Sequence, residues 1–257
     1  QASFRRAPVD EVMALSSRYE SRHRGWNVKH FYSWYKKDGG SRSYSWVKKT
    51  LQSQGSVSRV IKRGVHRKHR DRAPLPGMML HQDGSTHEWV TGKKWDLIVT
   101  MDDATSEHYS MFFVEEEGTK SSFQGVRDVI VQHGLFSSLY TDRGSHYWFT
   151  PKEGEKVSKT QLTQFGRALK HLGIQMIAAY SPEARGRSER AFLTHQDRIP
   201  KELAFHGITD MDTANRYLEK EYRANFNAEF MQPAAEEGSA FVPYFDIEHI
   251  DDILCIQ

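Results

Sequence analysis

Cysteine is almost absent from this chain: Cys255 is alone among 257 residues. That excludes an internal disulfide framework and any Cys-rich zinc module. No run of about 18 apolar residues occurs, which excludes a hydrophobic membrane-spanning helix. No charged, apolar and small-residue leader opens the sequence, so a cytoplasmic location is expected. Two nucleotide and ester chemistries are also missing their signatures. Gly92-Lys93 cannot be a phosphate loop, because His87 stands where the first glycine is required. No G-x-S-x-G elbow surrounds Ser85, which reads instead as a turn residue supporting Asp83. No internal repeat is visible.

What is present is an ordinary globular composition, 38% hydrophobic and 27% charged, long enough for one or two domains. The formal net charge of +3 hides two unlike parts. Residues 1–80 carry 18 Lys+Arg against 5 Asp+Glu, or +13, and the other 177 carry 18 against 28, or −10. A basic segment joined to an acidic body suggests a nucleic-acid-binding region on a separate domain. Aromatics run through the basic part (Trp26, Phe31, Tyr32, Trp34, Tyr35, Tyr44, Trp46), which argues against a disordered tail. Because it opens on Gln1 rather than Met, the chain reads as a piece of a longer one.

The patterns predict three short helices in residues 1–57: one after Asp10, a possible N-cap, one over 27–35 and one over 43–52. The last two resemble a helix-turn-helix, with Val47 and Leu51 inward and Lys48 and Lys49 outward. Residues 58–77 form a basic linker that cannot bury a core. Its Arg59, Lys62, Arg63, Arg67, Lys68 and Arg70 are candidates for phosphate contacts. From residue 78 the period changes. Strands are expected over 78–83, 95–102, 108–114, 138–142 and 174–178, and helices over 121–133, 160–172, 188–203 and 211–225, an α/β sheet with helices packed on it.

Three acids fall at expected element ends in this body. Asp83 ends the first strand, Asp142 ends the fourth, and Glu189 opens a helix. Carboxylates so placed could hold two divalent cations, and hard oxygen ligands suit Mg²⁺. Alone, three acids from 33 say little. Their surroundings say more: His81-Gln-Asp83-Gly-Ser, Met101-Asp-Asp-Ala-Thr105, Tyr140-Thr-Asp142-Arg143, Thr163-Gln-Phe-Gly-Arg167, Ser181-Pro-Glu-Ala-Arg-Gly-Arg-Ser-Glu189-Arg190 and His195-Gln-Asp-Arg198.

On these motifs the chain resembles the DDE transposase and retroviral-type integrase superfamily, most closely the ISNCY-type bacterial insertion-sequence transposases, from the helix-turn-helix to about Tyr244. The resemblance implies a ribonuclease-H-like core over 78–232, a mixed five-stranded sheet with helices on both faces. It implies an extended tail over 233–257 opening a C-terminal domain. It makes Asp83, Asp142 and Glu189 the catalytic, metal-binding triad, with Asp83 bridging two Mg²⁺ (Mn²⁺ as substitute) and each of the others holding one. The implied activity is DNA cleavage and strand transfer at mobile-element ends by in-line phosphoryl transfer, by a homo-oligomer on double-stranded DNA near the nucleoid. The acids are 59 and 47 residues apart; the second gap exceeds that of retroviral integrases, and the loop from Arg143 to Thr160 accommodates the excess.

Arg143, Arg185, Arg187 and Arg190 flank the acids and are candidates for DNA phosphates or for salt bridges to those acids. Residues 181–187 are expected as a mobile loop, with Glu183 a rival third acid. Asp103 reads as a turn and cap residue. His195 and Arg198 read as bracing the helix that carries Glu189 or touching phosphate. With Tyr217 they suggest a tyrosine recombinase, but the further Arg and His groups it needs are missing. The runner-up is a DNA-binding protein or plain nuclease of the same fold without strand transfer.

Overall fold

A computed structural model describes residues 7–59, 71–152, 155–158, 160–180 and 182–257, the side chains of 182–185 excepted. The chain divides into two compact units, one of residues 1–67 with 197–206, the other of 68–196 with 207–257.

The smaller unit contains three helices, α1 (Val9–Arg22), α2 (Val28–Lys37) and α3 (Tyr44–Ser53). Side chains cap α2 and α3. Asn27 accepts from the His30 N–H and Ser43 from the Trp46 N–H, each satisfying an amide the first turn leaves open. Asp10 is not a cap: α1 starts one residue before it, and Asp10 lies in the first turn, where a carboxylate favours the positive end of the helix dipole. The aromatics of this region make its core. Tyr19, Trp26, Phe31 and Tyr35 bury with Leu15, Val28, Val47 and Leu51. Residues 197–206, the end of a later helix, belong to the same unit, and Phe205 packs on Trp26 and Trp34.

The larger unit holds one five-stranded sheet, β1 (Leu80–Val90), β2 (Lys93–Asp102), β3 (His108–Val114), β4 (Ser138–Thr141) and β5 (Gln175–Ala178), in the order β3-β2-β1-β4-β5. The first three strands pair antiparallel as a meander, and β4 and β5 join parallel beside β1. This is the strand order and sense of a ribonuclease-H-like sheet. Helices α4 (Thr119–His133) and α5 (Gln164–His171) connect the parallel strands. Leu80, Leu139, Phe123, Val126, Ile130, Phe165 and Leu169 build the core between them and the sheet. At Gly125 α4 comes so close to the sheet that a Cβ would strike the Gln82 amide and the Thr100 hydroxyl.

Helix α6 (Pro182–Phe205) is followed by α7 (Met211–Tyr217), one π turn (Leu218–Tyr222) and α8 (Arg223–Phe230). These last elements cover the outer edge of β3. The Asn215 amide bonds the N–H and C=O of Phe113, and Asn227 does the same for His108. An edge strand is thus closed to pairing without another strand.

Three expectations are corrected. β1 does not end at Asp83: it runs seven residues further as a hairpin arm with β2, turning at Gly92, whose φ of 76° favours glycine. Polar His87 and Glu88 sit on the exposed part of that arm, so a polar stretch was mistaken for a turn. Residues 182–187 are helical rather than a loop, with Pro182 in the first position, where its missing N–H costs nothing. Residues 233–257 are not simply an extended tail: Phe241, Tyr244, Ile250 and Leu254 pack on the α4–α5 core, where the short α9 (Ile250–Ile253) lies.

Candidate active site

A strand alternates its side chains between faces. Leu80, Gln82 and Gly84 of β1 therefore face α4, while His81, Asp83 and Ser85 face the other way. Asp83 is 7% exposed. Beside it, β4 pairs in parallel with β1 through Leu80↔Leu139 and His81↔Tyr140. Asp83 lies three residues beyond Leu80 and Asp142 three beyond Leu139, so the two acids hold equivalent positions in that register, two residues past its last pair. β4 ends at Thr141, and β1 loses its parallel neighbour just there. One Asp142 oxygen, Oδ1, accepts from the Gly144 N–H at 2.8 Å, which fixes the turn out of the strand.

Helix α6 lies over the same face. Ser188, Phe192 and His195 form its buried stripe, at spacings of four and three. On one flank, Arg187 donates to Asp103 Oδ1 at 2.5 Å. On the other flank, Gln196 donates to the Ser85 hydroxyl at 2.9 Å. Glu189 is exposed on the flank that carries Gln196. Among the described residues no group of three or more His, Cys, Asp or Glu is close enough to hold a metal ion. The donor chemistry of Asp83 and Asp142, two carboxylates in register, suits a hard cation such as Mg²⁺.

Asp103 is fully buried, and it is not a turn cap. It accepts from His81 Nε2 at 2.7 Å, from the Ala73 N–H at 2.7 Å and from Arg187. Burial alone would raise its pKa, but His81, the Ala73 amide and Arg187 together hold it well below the usual carboxylate range. The cap role belongs to Asp102, which accepts from the N–H and hydroxyl of Thr105 and from the Gly77 N–H. Arg187, offered as a phosphate ligand, is thus engaged with an acid.

Of the other basic candidates, Lys48, Lys49, Arg59, Arg143 and Arg190 are exposed. The Arg143 guanidinium stacks over Tyr180, 5.3 Å from the ring centre. Lys62, Arg63, Arg67, Lys68 and Arg70 lie outside the described residues, as do the side chains of Glu183 and Arg185. Beyond Asp142, a cleft of about 690 Å³ against β5 is lined by Trp148, Phe149, Leu162 and Tyr180 and holds none of the three acids.

His195 braces rather than binds. Its Nδ1 accepts from the Tyr222 hydroxyl at 3.1 Å and its Nε2–H donates to His108 Nε2 at 3.0 Å. The His108 Nδ1–H in turn donates to the Ser106 carbonyl. Burial pushes His108 down to about 4, so its ring is neutral. Tyr217 is buried, which removes the nucleophile a tyrosine recombinase would need.

Sequence reasoning missed Glu117. Its carboxylate fills the space a Cβ at Gly84 would need, accepts from the Tyr147 hydroxyl at 3.4 Å and lies 3.4 Å from His146 Nε2. It stands across the sheet from Asp83. Burial, with Glu117 next in effect, keeps the Tyr147 hydroxyl protonated. The only signal was a glycine directly after Asp83 and a run of acids before α4.

No family model matches the chain. It is 32% identical over 202 residues to the "Putative transposase y4bF" of Sinorhizobium fredii, spanning 77% of this chain and 43% of that protein. It is 29% identical over 161 residues to the transposase for insertion sequence IS1202 of Streptococcus pneumoniae, spanning 63% and 34%. The chain therefore spans less than half the length of either relative. Among solved structures, one similar chain is from the simian T-cell lymphotropic virus intasome in complex with a PP2A regulatory subunit (17% identity, TM-score 0.46, 79% of this chain and 66% of that one). Another is the HTLV-2 integrase catalytic core in complex with magnesium (17%, TM-score 0.42, 55% and 83%). The fold assignment rests on the sheet's own strand order and sense.

Proposed function

We propose that this chain, which is similar to bacterial insertion-sequence transposases, is a member of the DDE transposase and integrase superfamily that carries out metal-dependent DNA cleavage and strand transfer. Asp83, Asp142 and Glu189 are its acids. The observation that carries the reading is the parallel register of β1 with β4, in which Asp83 and Asp142, the residue after β4, hold equivalent positions. Those three carboxylates would hold two Mg²⁺, which would supply Lewis-acid activation of the attacking oxygen and charge neutralisation at phosphorus. The chain's own task is to orient. Attack is in line, first by water and then by a DNA 3′-hydroxyl, so no protein nucleophile is required. Arg143 and Arg190 are exposed cations that suit flanking phosphates.

In the smaller unit, Lys48 and Lys49 project from α3 while Val47 and Leu51 of the same helix are buried. That arrangement supports α3 as a DNA-contacting helix, with residues 58–72 following phosphates. Such binding is largely ionic and falls steeply with salt. Joining two ends in one event calls for more than one copy of the chain.

The test is a cleavage and joining assay with labelled element-end DNA in Mg²⁺ or Mn²⁺. The proposal expects both products, and loss of both in Asp142→Asn and Glu189→Gln. Full joining by those variants would overturn it, and cleavage without joining by the wild type would make the protein a nuclease. Weak binding to every DNA at low salt would count against the assignment of residues 1–72.

A further inference from the structure

The buried acid Asp103 has no part in the triad, yet it ties together the strand and the helix that carry two of the three acids. His81, which donates to it, is two residues before Asp83 on the same face of β1. Arg187, which also donates to it, is two residues before Glu189 on α6. The Ala73 N–H binds its other oxygen, and Arg72 donates to the Asp103 and Ala104 carbonyls. The segment entering the core is thereby fixed to the same point.

A second tie lies further along. Gln196 of α6 donates to Ser85, two residues past Asp83 on β1. The two ties match in spacing. From Arg187 to Gln196 a helix rises about 13.5 Å at 1.5 Å per residue, and from His81 to Ser85 a strand advances about 13 Å. The helix is therefore pinned along β1, running the same way, at two points flanking Asp83. Glu189 and Gln196 are seven residues apart, which is two turns, so they share one stripe of the helix. Gln196 shows that this stripe looks toward β1. Glu189 lies about 3 Å along the axis from Arg187, one residue's advance along β1, next to the level of Asp83.

We propose that Asp103 is a positioning residue, which through Arg187 and together with the Gln196–Ser85 bond sets Glu189 beside Asp83. This rests on the triad reading above. It assigns Arg187 to the assembly of the site rather than to DNA phosphates, and it gives the Asp102-Asp103 pair two separate tasks, a turn and a mount.

The experiment uses the full chain with Asp103→Asn, Arg187→Met, Arg187→Lys, Gln196→Ala and Glu189→Gln. Three quantities are measured: Mn²⁺ binding to the DNA-free protein by electron paramagnetic resonance, the Mg²⁺ concentration for half-maximal cleavage, and thermal unfolding. Arg187→Met and Gln196→Ala are each expected to raise both half-saturation concentrations about tenfold, the scale of outer-shell effects at metal sites. Arg187→Lys is expected to recover most of that loss. Asp103→Asn combined with Arg187→Met should lose no more than the worse single variant, because both cut one tie. If Asp103→Asn fails to fold, Arg187→Met and Gln196→Ala carry the test. Unchanged metal half-saturation in both, with cleavage following only the folded fraction, would overturn the proposal. If Glu189→Gln itself leaves metal binding and cleavage unchanged, the triad reading fails, and the mount with it. A Glu189→Gln loss with both tie variants silent removes the mount alone.

Discussion

Each unit of this chain buries one histidine against one carboxylate, and the two pairs are used differently. In the smaller unit His30 Nε2 and Glu202 Oε1 are 2.6 Å apart, with the His30 ring stacked on Trp26. Burial lowers the His30 pKa despite Glu202, so the imidazole is neutral within an aromatic core. In the larger unit His81 meets Asp103 at 2.7 Å, but Arg187 and a backbone N–H are added. These hold the carboxylate charged, and its partners come from elements that carry acids. A histidine and a carboxylate thus sit in a core in one place and join elements in the other. At Asp103 the Arg187 guanidinium supplies a charge that offsets the cost of burial.

The sharpest break between the units would come from chemistry. Asp142→Asn or Glu189→Gln should lower cleavage by at least about a thousandfold, as loss of a reacting group does, with DNA affinity through the smaller unit intact. A filter-binding assay beside the cleavage assay checks both halves.

Stability separates the units next. Phe31 is fully buried in the aromatic core, and Phe31→Ala should cost about 3–5 kcal/mol there. Two-step thermal unfolding, with the smaller unit melting early and the larger unchanged, is the expected record; a single shifted transition would show that the units unfold as one.

Acid sharpens the comparison further. His108 is neutral when folded, with a pKa near 4 against an ordinary 6.5. Its unfolded form takes up a proton as pH falls below about 6.5 while the folded form does not. The stability it confers is therefore complete above about pH 6.5 and is lost on the way down to about 4, roughly 3 kcal/mol in all. His30 shifts in the same direction. Asp103 also shifts downward: its contribution is present above the unfolded carboxylate pKa and is lost only in stronger acid. Chemical denaturation from pH 7 to 4 should show stability falling in both units, and His108→Gln should flatten the fall in the larger one alone.

The smallest expected effect is on the surface. Lys48→Ala and Lys49→Ala should each weaken DNA binding about uniformly across sequences and reduce the salt slope by about one. Neither should alter cleavage at saturating DNA. A change in sequence preference instead would mean that these lysines read bases.

The sequence by itself determined a good deal. Helical spacing located α2 and α3, because that signal is local. The order of elements announced the α/β body, and the motifs around Asp83, Asp142 and Glu189 named the candidate acids. Contacts between distant segments were not legible. The length of β1 was missed because an exposed hairpin arm and a turn have similar composition. The start of α6 was missed because Pro and Gly near residue 182 signal a loop unless the helix is supported from outside. Asp103 looked like its neighbour Asp102. Only the packing of β1, β2 and α6 decided which of the two caps a turn and which binds Arg187, since a carboxylate's role is set by the donors that reach it. Glu117 became visible only once Gly84 left room for it. Local chemistry chose the elements, and the tertiary structure chose which charges face one another, because burial makes each such contact selective.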